Sequence, residues 1–486
     1  MAGSTIVNEA ETRLFINNEF RPASDSGTFE LKSPLTRETV ARVPEATVQD
    51  TNSAVAAAKA AFPAWSALSP HDRGDYLRKL AELLLEAENE LAHLDAISMG
   101  RPVSGYVDAK ISARKLQYYA SAGWDNHGET SLLSPGFVNM TFKQPFGVVA
   151  AIIPWNAPVM FLVDKMAPAL AAGNTIVIKS SEKAPLTCVK VAQLIQEIGF
   201  PPGVVNILSG HGHISGSTLS HHMDVRMITF TGSARAGRLI QQAAAKSNMK
   251  NVLFELGGKS PAVIFGDADL ERAAKETAKS IQWNSGQVCM ATSRIYVHSS
   301  IADHFISLFK ANLQAITPGD PTDPNVDHGP QADELQFNAI KRLIELGKKD
   351  GKLLLGGDSI ADYEGYYVQP TIFIETPENA QIMKEEVFGP VVNVNVFESE
   401  EDVVGKVNDT EYGLYASVYT RDLDRALRFA KSMEAGSVGI NCTSPTGGFD
   451  MPFGGWKGSG IGREGIHYSM NQYLETKTVL MKIGDA

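Results

Sequence analysis

Cys289 lies in the stretch Trp283-Asn284-Ser285-Gly286-Gln287-Val288-Cys289-Met290, downstream of Phe254-Glu255-Leu256-Gly257-Gly258-Lys259. A lone thiol among small residues, and an isolated acid on an otherwise apolar segment, suit a covalent nucleophile and its base. A thiolate attacks carbonyl carbon and leads to a thioester, which a carboxylate-activated water then cleaves. The same residues would serve a thiol hydrolase that used Cys289 with a histidine and needed no cofactor.

Other segments carry chemistry only in company. Phe230-Thr231-Gly232-Ser233-Ala234-Arg235-Ala236-Gly237 follows an apolar run and opens a helix. Its glycines let backbone amides approach a pyrophosphate, and the helix start favours negative charge. An ordinary strand-turn-helix has the same spacing. Lys179 and Glu182 follow another apolar run, where a carboxylate accepts from ribose hydroxyls and repels a 2′-phosphate; two solvated loop charges would look alike. In Pro154-Trp155-Asn156-Ala157-Pro158, the Asn156 amide is a candidate oxyanion donor, a role worth about 2.7–4 kcal/mol in acyl-transfer sites. Asn between turn formers is equally a turn residue, and Trp155 alone reads as packing. Glu386 and Phe388 stand two apart, so an extended loop turns both to one side, fit to hold a sugar hydroxyl and a flat ring. One surface acid and one buried Phe is the plainer alternative.

Gly460-Ile461-Gly462-Arg463-Glu464-Gly465 matches the dinucleotide expression G-x-G-x-x-G. No clear strand precedes it in a βαβ unit and no placed acid follows, so it reads as a Gly-rich connection. His211, His213, His221 and His222 lack acids or thiols at ligand spacing, which predicts a polar loop and no metal site.

These residues need a scaffold. Val148 to Ile153, Thr175 to Ile178, Val204 to Ile207 and Met227 to Phe230 are β-branched runs separated by helical stretches such as Pro158 to Ala172, and Asn251 to Leu256 is a further run. The alternation predicts a parallel α/β sheet with ligands at the carboxyl ends of its strands. A second α/β pattern spans Pro261 to about Gly455, through Ala262 to Ile264, Arg294 to Val297, Ala302 to Leu313 and Val438 to Asn441. Upstream, Val48 to Phe62 and a helix capped by Ser69, with Leu77, Leu80 and Leu84 on one stripe, precede the first convincing strand. Tyr473 to Ile483 alternates and predicts an edge strand available for pairing.

The 486 residues predict more than one domain. A net charge of −11 argues against nucleic-acid or anionic-membrane partners. The three cysteines, Cys188, Cys289 and Cys442, are widely spaced and indicate neither a disulfide framework nor a zinc cluster. Met1 to Phe20 has no apolar core of a signal peptide, and no run reaches membrane-spanning length. Cytoplasmic residence is the expectation.

The order Pro154-Trp155-Asn156, Lys179-Ser180-Ser181-Glu182, Phe230-Thr231-Gly232-Ser233, Glu255-Leu256-Gly257-Gly258-Lys259, Gly286-Gln287-Val288-Cys289, Glu386-Val387-Phe388-Gly389-Pro390 and Pro452-Phe453-Gly454-Gly455 resembles the NAD(P)-dependent aldehyde dehydrogenases over nearly the whole chain. The resemblance implies an α/β fold: a Rossmann-like parallel-sheet nucleotide-binding domain (1–125 and 146–257), a second α/β catalytic domain (258–457) and a small β oligomerisation arm (126–145 and 470–486) in a homodimer or homotetramer. It implies Cys289 as nucleophile, Asn156 with the Cys289 amide as oxyanion hole, and Glu255 as general base. Cofactor contacts would come from Trp155, Lys179, Glu182, Gly212, Phe230, Gly232, Ser233, Leu256, Glu386 and Phe388, with NAD favoured over NADP. Trp155 again, with Phe161, Trp283, Val288, Met290, Thr446 and Phe453, would line the aldehyde entrance; this apolar, aromatic set favours an uncharged aldehyde, aromatic ones included. Ser180 stands where members commonly have Pro, and Met99-Gly100-Arg101-Pro102 lacks a common acid. Against hydrolytic aldehyde oxidation stand a CoA-acylating dehydrogenase, in which retention of Glu255 would be unnecessary, and a non-catalytic descendant of the fold.

Overall fold

The computed structural model describes residues 10–483. The first residues of the leader reading, and the ends of the expected nucleotide-binding unit and arm, lie outside them.

Apolar β-branched runs do form the first sheet. Val148–Ile152, Thr175–Lys179 and Val205–Leu208 are buried along their whole length, as expected of strands covered on both faces. Its eight strands run in the order Glu19–Arg21, Leu14–Ile16, Val205–Leu208, Thr175–Lys179, Val148–Ile152, Val225–Thr231, Asn251–Glu255 and Gly460–Ile461. The strands from Val205–Leu208 to Asn251–Glu255 are mutually parallel, and both flanks add antiparallel partners. In chain order the parallel set is arranged third, second, first, fourth, fifth. The direction of winding therefore reverses between Val148–Ile152 and Val225–Thr231, and a crevice opens there at the carboxyl ends. Helices Pro158–Ala171 and Ala234–Lys246 start from those two ends.

Three details differ from the sequence expectation. The sheet begins before residue 147, because Leu14–Ile16 is buried and Phe15 pairs with Ile207. The histidine-rich stretch is no polar loop: Gly212–Gly216 makes a π-turn that runs into helix Ser217–His221, since Leu219 and Ser220 turn inward. Gly460–Ile461 is an edge strand on Asn251–Glu255, its amides having a bare ladder to pair with.

The second sheet has seven strands, ordered Lys352–Leu355, Thr371–Ile374, Val391–Phe397, Arg294–His298, Pro261–Ile264, Tyr415–Tyr419 and Ser437–Ile440. All neighbours are parallel apart from Lys352–Leu355. Leu474–Lys482 pairs antiparallel with Phe137–Pro145 over nine positions and stands at the edge of a three-stranded sheet.

Helices start where capping residues permit. Thr47 and Asp50 form a reciprocal capping box at Val48–Ala67, and the Ser69 hydroxyl accepts from the Asp72 amide at 3.1 Å at the start of Pro70–Glu86. Leu77, Leu80 and Leu84 are fully buried beside Leu116 and Leu162.

Candidate active site

A cavity of about 300 Å³ opens between the strand ends of the two large sheets. Its lining brings together Trp155, Asn156, Phe161, Gly232, Ser233, Glu255, Leu256, Cys289, Glu386 and Phe388. These residues come from distant parts of the chain.

The Cys289 loop is built under constraint. Asn284, Ser285 and Gly286 are consecutive left-handed residues, with φ of 50°, 52° and 78°. At Gly286 a Cβ would fall 2.2 Å from the Gly389 carbonyl carbon, so the loop closes on Gly389-Pro390 only with glycine there. Polar contacts hold the strain. The Ser285 hydroxyl donates to the Gly329 carbonyl (2.8 Å) and accepts from its amide (3.0 Å). Gln287 accepts from the Ala332 amide at 2.9 Å and donates to the Asn284 carbonyl at 3.1 Å. A further close approach sets the thiol's depth, since a Cβ on Gly258 would meet the Cys289 carbonyl oxygen at 2.4 Å.

Cys289 is half-buried. Burial, with Glu386 and Glu255 adding like charge, pushes its thiol up to about 12. Such a shift favours the thiol over the thiolate at neutral pH.

Glu255 ends strand Asn251–Glu255 and is 3% exposed, and neither carboxyl oxygen has a hydrogen-bond partner among the described residues. Burial first, then the Glu464 carboxylate, push its pKa well above the ordinary carboxylate range; Lys165 and Arg463 oppose them. Lys165 donates to Glu464 in a buried pair. A carboxyl with such a raised proton affinity is suited to take a proton from water near neutrality.

Asn156 is buried, and its Nδ2 donates to the Gln287 carbonyl at 3.0 Å, while Asn284 donates to the Asn156 carbonyl at 3.1 Å. One of the two amide hydrogens is thus engaged in holding the Cys289 loop, and the other is left for a ligand. The Trp155 and Phe388 rings meet edge to face at 5.4 Å. Phe388 has φ of 54°, and Gln336 donates to its carbonyl at 2.9 Å. The Glu386 carboxyl lies against the paired glycines: Gly258 N–H donates to it at 2.9 Å, and a Cβ on Gly257 would fall 2.1 Å from its other oxygen. Burial pushes Glu386 up to about 7 despite the Gly258 amide and Lys259.

Ser233 caps helix Ala234–Lys246, accepting from the Ala236 amide at 3.3 Å, beside Gly232. Phe230 is buried in its strand. Lys179, which ends strand Thr175–Lys179, and Glu182 and Gly212, which follow the ends of Thr175–Lys179 and Val205–Leu208, stand outside the cavity. Lys179 is 3% exposed, donates to the Ser180 carbonyl at 2.8 Å and lies 3.7 Å from Glu182. Burial lowers the Lys179 ammonium; burial is also the largest influence on Glu182 and raises it, but Lys179, the residue's own backbone amide and Lys183 together leave that carboxyl below its ordinary value. Ser180 bonds the Leu208 carbonyl and Ser209, so the departure from Pro gains partners there. A would-be Cβ on Gly212 meets nothing within 4 Å. A capped helix start, an open glycine turn and a carboxylate beside an ammonium fit the pyrophosphate and ribose of a dinucleotide.

Of the expected entrance residues, Trp155 and Phe161 line this cavity and the other five do not. Trp283 packs its ring 5.8 Å from the Arg101 guanidinium and close to Gly105. Val288 joins the apolar cluster of the second sheet. Met290 is half-buried in the turn after Cys289, Thr446 is exposed with its carbonyl accepting from the Tyr415 hydroxyl, and Phe453 bridges Glu464 by backbone. The cavity also takes in Gln336, Ala339, Arg342 and Leu343 from helix Glu334–Asp350, and Glu385, which the Arg342 guanidinium meets at 2.9 Å. No motif marks them; the Asp333 cap announces a helix but not what it faces. Among the described residues no group of His, Cys, Asp or Glu could hold a metal ion.

Residues 20–479 match the sequence model of the Aldehyde dehydrogenase family. Aldehyde dehydrogenase, cytosolic 1 of Elephantulus edwardii is 41% identical, covering 99% of this chain and 97% of its own. The mitochondrial aldehyde dehydrogenase of Mesocricetus auratus is 42% identical over 97% of this chain and 95% of its own. Among solved structures, the aldehyde dehydrogenase KauB from Pseudomonas aeruginosa superposes with a TM-score of 0.95 at 40% identity, covering 98% and 97% of the two chains. The P. syringae indole-3-acetaldehyde dehydrogenase mutant in complex with NAD+ and IAA gives 0.96 at 38% identity and 99% of each. With a thiol and a buried acid facing one cavity at the winding switch, and this agreement along nearly its whole length, the chain belongs to the aldehyde dehydrogenase family.

Proposed function

We propose that this chain oxidises an uncharged aldehyde, aromatic ones included, to the carboxylic acid with NAD as hydride acceptor, through a thioester on Cys289. The single observation that carries the reading is that Cys289, Glu255, Asn156, Ser233, Glu386 and Phe388 line one cavity.

In this reading Cys289 Sγ, once deprotonated, adds to the aldehyde carbon, and the new oxyanion accepts from the free Asn156 hydrogen and the Cys289 amide. NAD, when bound, supplies the ring that takes the hydride as the adduct collapses to a thioester. Glu255 then removes a proton from water as that water attacks the acyl carbon; Cys289 leaves as thiolate and the acid departs. Glu386 and Phe388 hold the nicotinamide riboside, Ser233 and Gly232 the pyrophosphate, and Lys179 with Glu182 the adenosine ribose. The half-buried Glu182 favours NAD over NADP, because a 2′-phosphate beside it would meet like charge. The apolar, aromatic side chains of Trp155 and Phe161 support an uncharged substrate.

On the same reading residues 1–125 and 146–257 form the nucleotide-binding unit and 258–457 the catalytic unit. Residues 126–145 and 470–486 form an arm joining subunits in a dimer or tetramer. The exposed Leu480 (66%) on the three-stranded sheet and Leu133 (93%) in the connection between its other two strands support the arm. No helix among the described residues is long and apolar enough to cross a membrane, and three spaced free cysteines suit the reducing cytosol.

NADH absorbance over a panel of aliphatic, aromatic and charged aldehydes tests the proposal. Turnover should require NAD, prefer uncharged aldehydes, release free acid without CoA, and vanish in Cys289→Ala while NAD still binds. Silence across the panel, or acyl-CoA as the sole product, would overturn it.

A further inference from the structure

Lys259 is a buried cation that the reaction above leaves without a task. It follows the Gly257-Gly258 pair, is 1% exposed, and its Nζ has no hydrogen-bond acceptor among the described residues. The neighbouring Arg294 is equally buried, yet among the described residues its guanidinium bonds the carbonyls of Lys259, Lys406 and Val407 (2.9–3.2 Å) and no carboxylate. Lys259 and Tyr412 line a small cavity of about 10 Å³, room for one water-sized molecule at most. No carboxylate lines that cavity within the described residues except Glu434, whose side chain already pairs with Lys457. Two cations set this deep are costly unless a negative charge compensates them.

The compensating group stands across the glycine pair. Glu386 rests directly on Gly257 and Gly258, one residue before Lys259, and it is the carboxyl that most favours the charged form of Lys259, ahead of Glu385. Glu386 shares its cavity with Cys289, Glu255 and the paired Arg342 and Glu385, takes the Gly258 amide, and is within electrostatic reach of Lys259 and Tyr412. Of the two cations in that set, Arg342 is already paired with Glu385, and Lys259 is the one without a hydrogen-bonded partner among the described residues. We propose that Lys259 is a positioning residue: from behind the Gly257-Gly258 turn it keeps Glu386 ionised and so sets the affinity of the nicotinamide ribose site for NAD.

The proposal rests on the assignment of Glu386 to that ribose. Burial raises Glu386 to about 7, and burial, with Arg294, lowers Lys259 to about 7, so small changes in either charge move the other within the working pH range. For an acid that must be ionised to accept from a hydroxyl, affinity is full above its midpoint and is lost as pH falls through it.

The test is the dissociation constant of NAD, read by quenching of protein fluorescence from pH 6 to 9.5 without aldehyde. In the wild type the constant should rise as pH falls through about 7. Lys259→Met should move that midpoint up by about one unit, weakening binding about threefold at pH 7.5 and merging with wild type by about pH 9.5. Lys259→Arg, which stays charged across the range, should hold the midpoint at or below that of the wild type, which a merely structural role would not require. A pH-independent offset in Lys259→Met, or an unmoved midpoint, overturns the proposal. If Lys259→Met does not fold, a wild-type curve that is flat across this range overturns it alone. Glu386→Gln separates the two levels: it should bind NAD weakly at every pH, and if it binds as tightly as wild type, the ribose assignment itself has failed.

Discussion

At the scale of single residues, the site holds two buried carboxyls and a thiol, each pushed toward its neutral form. Glu386 adds to the burial cost of Cys289, and Glu255 adds a smaller share. The ligand-free chain should therefore guard its nucleophile. At pH 8 a thiol held near 12 is about one part in ten thousand thiolate. Alkylation of Cys289 by iodoacetamide, followed by peptide mass spectrometry, should rise about tenfold per pH unit without a plateau up to pH 10. A plateau below pH 8 would mean that the thiol is already ionised in the absence of ligands. Cys289 and Glu255 were legible as candidates in the sequence, because a lone thiol among small residues and a lone acid in an apolar run have few structural uses. The state of Asn156 was not: its bond to the Gln287 carbonyl depends on how two remote loops meet.

At the scale of elements, the nucleophile depends on a turn that no side chain but hydrogen permits. Gly286 combines φ of 78° with a would-be Cβ contact of 2.2 Å to the Gly389 carbonyl carbon. Gly286→Ala must push the loop away from Gly389-Pro390 and displace Cys289. Misplacement by about 1 Å costs on the order of 100-fold in rate, so turnover should fall at least that far, while NAD binding, whose pyrophosphate and adenosine contacts lie on other loops, falls much less. Wild-type turnover in Gly286→Ala, measured by NADH absorbance, would show that the turn does not set the thiol. The strands of both sheets were readable because buried parallel strands need unbroken β-branched runs, as in Val148–Ile152 and Pro261–Ile264. Short edge elements escaped notice for the converse reason. Leu14–Ile16 has three residues, and Gly460–Ile461 two, too few to show a period. Helix Glu334–Asp350 reads as an ordinary amphipathic helix; that Gln336 and Arg342 face the cavity is fixed only by packing on the second sheet.

At the scale of the molecule, chemistry arises where the carboxyl ends of the first sheet's strands confront the amino ends of the second sheet's. Asn251–Glu255 closes the parallel part of one, and Gly257-Gly258 carries the chain into Pro261–Ile264 of the other. Glu255 thus belongs to the nucleotide-side sheet, while Cys289 and Glu386 come from loops before Arg294–His298 and Val391–Phe397. Each sheet alone holds half of the constellation, so the account requires acyl transfer to Cys289 and its release by Glu255 to be separable steps. The most direct test is Glu255→Gln mixed with NAD and one equivalent of an aldehyde that the wild type turns over, quenched with acid and analysed by peptide mass spectrometry. The account predicts one equivalent of NADH and an acyl group on Cys289 that persists far longer than in the wild type. Steady turnover at the wild-type rate, or an acyl group on any other residue, would contradict it.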